Sequence, residues 1–149
     1  MHHKKNIVAV PEEPLPDFLK GTVKLRYIEA DTASLDWKLI AHEQPDIVIN
    51  AAWQIREMYG RKEDQWKLNV DGSDSVFDFA FNWPSVHTLI HFSTVASYGA
   101  ESDNTIEHRF KEEEGFRKSD YLYAEEKRIS EVHLEEKYAE AKERLSANK

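Results

Sequence analysis

The 149 residues include no cysteine, which excludes disulfides, thiolate metal sites and a cysteine nucleophile, and fits a reducing, cytoplasmic setting. Long apolar runs are also missing. None approaches the roughly 18 residues of a membrane span, and the opening MHHKKNIVAV lacks the apolar core of a secretory signal, so no membrane partner is expected. Basic residues are few: 20 Lys and Arg stand against 28 Asp and Glu, a formal charge of −8. Displacing counterions from a phosphate backbone needs clustered cations, so nucleic acid is not expected as a partner. Glycine is scarce, with five residues at 21, 60, 72, 99 and 115. None of them builds a Gly-x-x-Gly-x-x-Gly phosphate turn or a Gly-x-Ser-x-Gly nucleophile elbow, so a serine hydrolase is unsupported. His87 and His91, four apart in a strand, would lie about 13 Å apart, too far to share a metal ion.

What remains is one ordinary core. Residues of the AVILMFWYC set make up 40% of the chain, enough for a single domain over residues 1–149 and too little for two. Ile7–Val10 and Val23–Ile28 are β-branched runs that predict strands, separated by Pro11, Pro14 and Pro16, which forbid regular helix before Asp17 and leave room for one turn through Phe18 and Leu19. Leu35, Leu39 and Ile40 predict a short helix capped by Thr32 or Ser34 and ended by Pro45. Asp46–Ala52 is apolar without alternation, as in a parallel strand buried on both faces. A helix is expected over 69–80, then a fourth strand over Val86–Phe92. Strands alternating with helices give an α/β class. From Asp120 to about Leu145, positions 123, 127, 130, 134, 138, 141 and 145 form one helical stripe opposite a charged, solvated face with pairs such as Glu140–Arg144.

One stretch carries chemistry. His91-Phe-Ser-Thr94 ends an apolar run in hydroxyls, and Tyr123 and Lys127 follow a long connection, one helical turn apart. Carbonyl reduction or alcohol oxidation needs a proton moved at oxygen while hydride moves at carbon. A phenol is a poor base at its ordinary pKa of about 10, and a neighbouring ammonium favours the phenolate. Thr94, or less well Ser93, could hold the substrate oxygen. The Tyr-x-x-x-Lys spacing recurs at Tyr138–Lys142, deep in the charged helix, so context rather than spacing selects Tyr123.

With these motifs in order, the chain resembles the extended short-chain dehydrogenase/reductase family, the NAD-dependent epimerase/dehydratase group. The resemblance rests on Asp31, Pro-Asp-Ile-Val-Ile-Asn-Ala-Ala at 45–52, Asn-Val-x-Gly-Ser at 69–73, Val-x-x-Leu-Ile-His-Phe-Ser-Thr-x-x-x-Tyr-Gly at 86–99, and Tyr-Ala-Glu-Glu-Lys at 123–127 with Glu131 beyond. It implies a partial Rossmann-like parallel sheet with flanking helices, an NAD or NADP cofactor, and a nucleotide-sugar or similar hydroxylated substrate. It assigns catalysis to Thr94, Tyr123 and Lys127, with Lys127 also on the nicotinamide ribose, adenine contact to Asp31, and the segment passing the cofactor to Ala51 and Ala52. Asn69 would tie the neighbouring strand and helix together.

Departures from the family set further expectations. The family's glycine-rich turn is absent, so cofactor binding is expected to be weak. Ile7–Val10 resembles the family's second strand, which makes the chain an internal, truncated piece lacking the first strand and the C-terminal substrate lobe. Pro11-Glu12-Glu13 stands where an acidic residue usually ends that strand, leaving NAD and NADP both open. The piece is expected to be inactive alone; the other reading is a non-catalytic binding or oligomerisation module. The second strand and the Asp46–Ala52 strand would each present an unpaired edge, met by a homodimer or by pairing with each other.

Overall fold

A computed structural model describes residues 7–10, 14–21, 24–99 and 102–147. Among the described residues four short strands form: β1 (Ile7–Ala9), β2 (Leu25–Tyr27), β3 (Ile47–Asn50) and β4 (Thr88–His91). β1 pairs in parallel with β2, Val8 opposite Arg26, and β3 pairs in parallel with β4, Ile49 opposite Ile90. Between β1 and β2 the described chain makes a single 3-10 turn, Asp17–Leu19, as the prolines require. Pro11–Glu13 and Val23 lie outside the described residues.

The fold is α/β and Rossmann-like, but its parallel sheet comes in two pieces. Among the described residues β1 and β3 exchange no backbone hydrogen bond, so the expected direct closure between them does not form. The two pieces meet through side chains instead. Ile40, Ala41 and Phe79 form a buried cluster on which Val8, Val10 and Ile28 pack from one sheet side and Val48 and Val86 from the other. Trp37 stacks on Phe79 at 4.9 Å between ring centroids.

A second correction concerns β3, expected to be buried on both faces. Ile47 is 46% and Ile49 59% exposed, with Ile90 (44%) and Phe92 (58%) beside them. Helices cover only the opposite face, where Asn50 donates to Ser73 Oγ at 3.2 Å.

Helix α1 (Trp37–Ala41) begins later than Thr32 or Ser34 would set it, because Asp36 is the cap, its carboxylate accepting from Lys38 N at 3.1 Å. Thr32 and Ser34 belong to the preceding turn, where Asp31 Oδ1 accepts from Ala33 N at 2.8 Å. The expected 69–80 helix is the end of a longer run: α2 (Lys62–Trp66), a π segment (Lys67–Asp71) and α3 (Gly72–Asn82) follow without a break. Gly72 is needed there, since a Cβ would sit 2.7 Å from Thr32 Oγ1.

Helix α4 (Leu122–Ala147) lies alongside α3 in the same direction. Asp74 meets His133 at 2.8 Å, Asp78 meets Lys137 at 2.5 Å, and Asn82 accepts from Arg144 at 2.6 Å. Arg144 therefore serves α3 rather than Glu140. Of the expected stripe, Lys127, Ser130 and Ala141 are buried, while Tyr138 and Leu145 are exposed.

Candidate active site

The site is a corner where β4 ends and α4 begins. Beyond β4, Thr94 caps a 3-10 turn (Val95–Tyr98), its Oγ1 accepting from Ala96 N at 3.2 Å, and Gly99 closes the turn at φ 80°. The cap leaves the Thr94 hydroxyl proton free to be donated. Tyr123 and Lys127 stand one turn apart near the start of α4. Lys127 Nζ donates to the Phe92 carbonyl at 2.5 Å, which fixes it against the strand end two residues before Thr94.

Ala51 and Ala52, both exposed, lead from β3 into Trp53. The Trp53 ring centroid lies 3.6 Å from Lys127 Nζ, a cation–π contact. The same indole meets Tyr123 and His91 edge-on, each at 6.4 Å. His91 in turn meets the Phe77 ring at 5.1 Å. Lys127 is thus held among aromatic faces, and burial lowers its pKa to about 8, the charge of Glu131 opposing the drop. His91 falls to about 4, through burial first and the Lys127 charge second. Glu131 moves up because it is buried, against the hydroxyl of Ser97 that donates to it at 3.4 Å.

Lys127 thus joins the strand end two residues before Thr94 to the Trp53 indole, against whose edge the Tyr123 ring lies. Asp31 stands apart from this corner, in the turn after β2, with one carboxylate oxygen committed to its own turn.

Sequence reasoning missed the buried node beneath the corner. Glu126 is 0% exposed, and its Oε2 accepts from Asn69 Nδ2 at 2.7 Å and from Gln65 Nε2 at 3.0 Å. Asn69 also accepts from Gln54 N at 2.7 Å and donates to Gln54 O at 3.0 Å, while Gln65 accepts from Met58 N at 2.7 Å. The node ties the loop carrying Trp53 to α2, the π segment and α4. Its signal was present: 123, 126, 127 and 130 share one helix face, but Glu126 reads as one more charge in a charged helix. Trp53 had no motif to mark it.

The same structure tests the fit of a dinucleotide. Pyrophosphate is held where a glycine turn opens a helix. Between β1 and β2 the described chain holds two prolines, a three-residue 3-10 turn and the lone Gly21, and among the described residues no glycine-rich turn joins a strand to a helix. The residues present suit the catalytic end of such a site and do not fit its pyrophosphate.

A model of the NAD dependent epimerase/dehydratase family matches residues 3–147. Among solved structures, the Bordetella bronchiseptica enzyme WbmH in complex with NAD+ is similar at 21% identity and TM-score 0.71, covering 87% of this chain and 43% of its own. The UDP-glucuronic acid 4-epimerase from Bacillus cereus in complex with NAD gives 17% identity and TM-score 0.66, over 90% and 44%. The UDP-Glc/GlcNAc 4-epimerase from Campylobacter jejuni gives 17% and 0.71, over 90% and 42%. The chain thus spans less than half the length of these structures. No curated protein matches it.

Proposed function

Because the chain belongs to the NAD dependent epimerase/dehydratase family, we propose that its corner is the catalytic end of an NAD(P)-dependent oxidoreductase, epimerase or dehydratase for a nucleotide-sugar or similar hydroxylated substrate. Tyr123 is the acid/base at the substrate oxygen, Lys127 the group that tunes it, and Thr94 the hydroxyl that holds that oxygen. The observation that carries this reading is Lys127, buried at the end of β4 one turn from Tyr123 and bonded to the Phe92 carbonyl. A surface lysine kept only for solubility would not be placed there. The relatives named above are described with NAD or as acting on UDP-sugars, which supports the substrate class.

On the same reading the isolated chain binds NADH and NADPH weakly and turns over little or nothing, for want of a pyrophosphate cradle. Fluorescence titration with both nucleotides tests this, and a micromolar Kd for either overturns it. Where turnover is measurable, Tyr123→Phe abolishes it and Tyr138→Phe does not; equal losses would mean the wrong tyrosine was chosen.

A non-catalytic binding or oligomerisation module is the second reading, favoured by Trp53 lying over Lys127. Self-association belongs to either reading. The exposed Ile47, Ile49, Ile90 and Phe92 suit a homodimer in isolation, in the cytoplasmic setting that the cysteine-free composition fits. A strictly monomeric chain in light scattering that melts above about 65 °C would contradict this.

A further inference from the structure

Two adjacent side chains of opposite charge enter the protein at the start of α4: Glu126 at 0% and Lys127 at 4% exposure. They take different partners. Lys127 Nζ goes to the Phe92 carbonyl and the Trp53 ring face, whereas Glu126 Oε2 takes the Asn69 and Gln65 amides. A carboxylate is costly to bury, and an apolar side chain of similar volume in its place is often neutral or stabilising. Stability alone therefore does not account for Glu126.

The amides it takes are committed on their other side. A carboxylate only accepts, so it draws the NH2 ends of Asn69 and Gln65 toward α4 and leaves their carbonyl oxygens to the loop after β3. There Asn69 Oδ1 accepts from Gln54 N and Gln65 Oε1 from Met58 N, both at 2.7 Å. One carboxylate thus orients the two residues that hold the loop at both its ends. Gln65 and Asn69 flank the start of the π segment (Lys67–Asp71), a winding that recurs at functional sites. The residue before Gln54 is Trp53, whose ring lies on Lys127 Nζ and meets Tyr123 edge-on.

We propose, resting on the catalytic reading of Tyr123 and Lys127, that Glu126 is a positioning residue of the corner: through Asn69 and Gln65 it holds the 54–58 loop so that Trp53 stays over Lys127 and keeps water from the amine that tunes the phenol. The other titratable groups acting on Lys127 are His91 at the end of β4 and Glu131 on α4. Glu131 is held by Ser97 and His91 lies against Phe77, so neither depends on the node.

The test follows the carbon-13 shift of Lys127 Cε against pH in the full chain, with Lys127→Arg assigning the signal and hydrogen exchange read at the Gln54 amide. Glu126→Met keeps the volume and removes the acceptor. It should speed Gln54 exchange by about tenfold or more. It should also raise the Lys127 midpoint from about 8 by about one pH unit or more, because an amine released from the indole regains water. Glu126→Gln, whose carbonyl oxygen still accepts, should keep the midpoint of the unaltered chain. Ala141→Gly, a destabilising change at a buried position further along α4, should keep it too. Gln65→Met frees only the Met58 end and should move the midpoint the same way by less. An unmoved midpoint in Glu126→Met overturns the proposal, as does an equal rise in Ala141→Gly or Glu126→Gln. Should Glu126→Met not fold, Gln65→Met decides, and an unmoved midpoint there overturns it. No turnover enters the measurement. An enzyme still active as Tyr123→Phe would sink the catalytic reading while leaving the placement of Trp53 by Glu126 to stand or fall on these midpoints.

Discussion

The two sheet pieces are built alike, each a parallel pair of short strands, yet they differ in what rests on them. β3–β4 lies under α3 and beside α4, and this half holds Phe77 at 0%, Val70 at 1% and Asn69 at 0% exposure. In β1–β2 no described side chain is buried, nor is any described residue before Ile40. A two-stranded ladder is marginal in water by itself. The N-terminal piece therefore depends on the side chains of Val8, Val10 and Ile28 reaching the shared cluster, whereas the C-terminal piece has a core of its own.

The sharpest way to break this comparison is to empty each half. Phe77→Ala should cost about 3–5 kcal/mol, enough to unfold much of a marginal domain, while Val8→Ala should cost about 1 kcal/mol. Urea titration followed by circular dichroism measures both, and equal losses would put the two pieces on the same footing.

Next in size is pH, because the titrating groups that burial shifts furthest lie in the C-terminal half. His91 falls from 6.5 to about 4 on folding, so the unfolded chain binds the extra proton between those values. Stability is complete above about pH 6.5 and drains away down to about pH 4, by on the order of 3 kcal/mol. Lys127 falls from 10.5 to about 8, so stability rises from about pH 8 toward 10.5 by a similar amount. His91→Phe should flatten the acid limb and Lys127→Met the alkaline one, in melts taken across the range.

A smaller effect is expected at the buried node. Glu126→Ala removes the acceptor of two buried amides and should cost about 1–3 kcal/mol, with Glu126→Gln costing less because its carbonyl oxygen can still accept. The smallest belongs to the surface: Lys137→Ala, breaking the contact with Asp78, should change stability by about 0–1 kcal/mol.

Much of this was legible in the sequence where one rule acted alone. The apolar runs gave the strands, the prolines gave the open segment before Asp17, and the Tyr123–Lys127 spacing put the two residues one turn apart on α4. What stayed hidden depended on partners far along the chain. Nothing local says that Asp36 outbids Thr32 and Ser34 as a cap, and the unbroken apolar run of β3 describes a strand covered on both sides, whereas the described residues cover only one. Glu126 is read as surface until the amides of Asn69 and Gln65 are brought to it from 57 and 61 residues away.

The indole lying on Lys127 has an optical consequence. Of the tryptophans at 37, 53, 66 and 83, Trp53 is the one with an ammonium on its ring face among the described residues. Losing that proton near pH 8 removes a full charge from beside the chromophore, so its emission should titrate with the amine. The chain thus carries a built-in dye at its reactive corner, and Trp53→Phe marks which part of the signal comes from there.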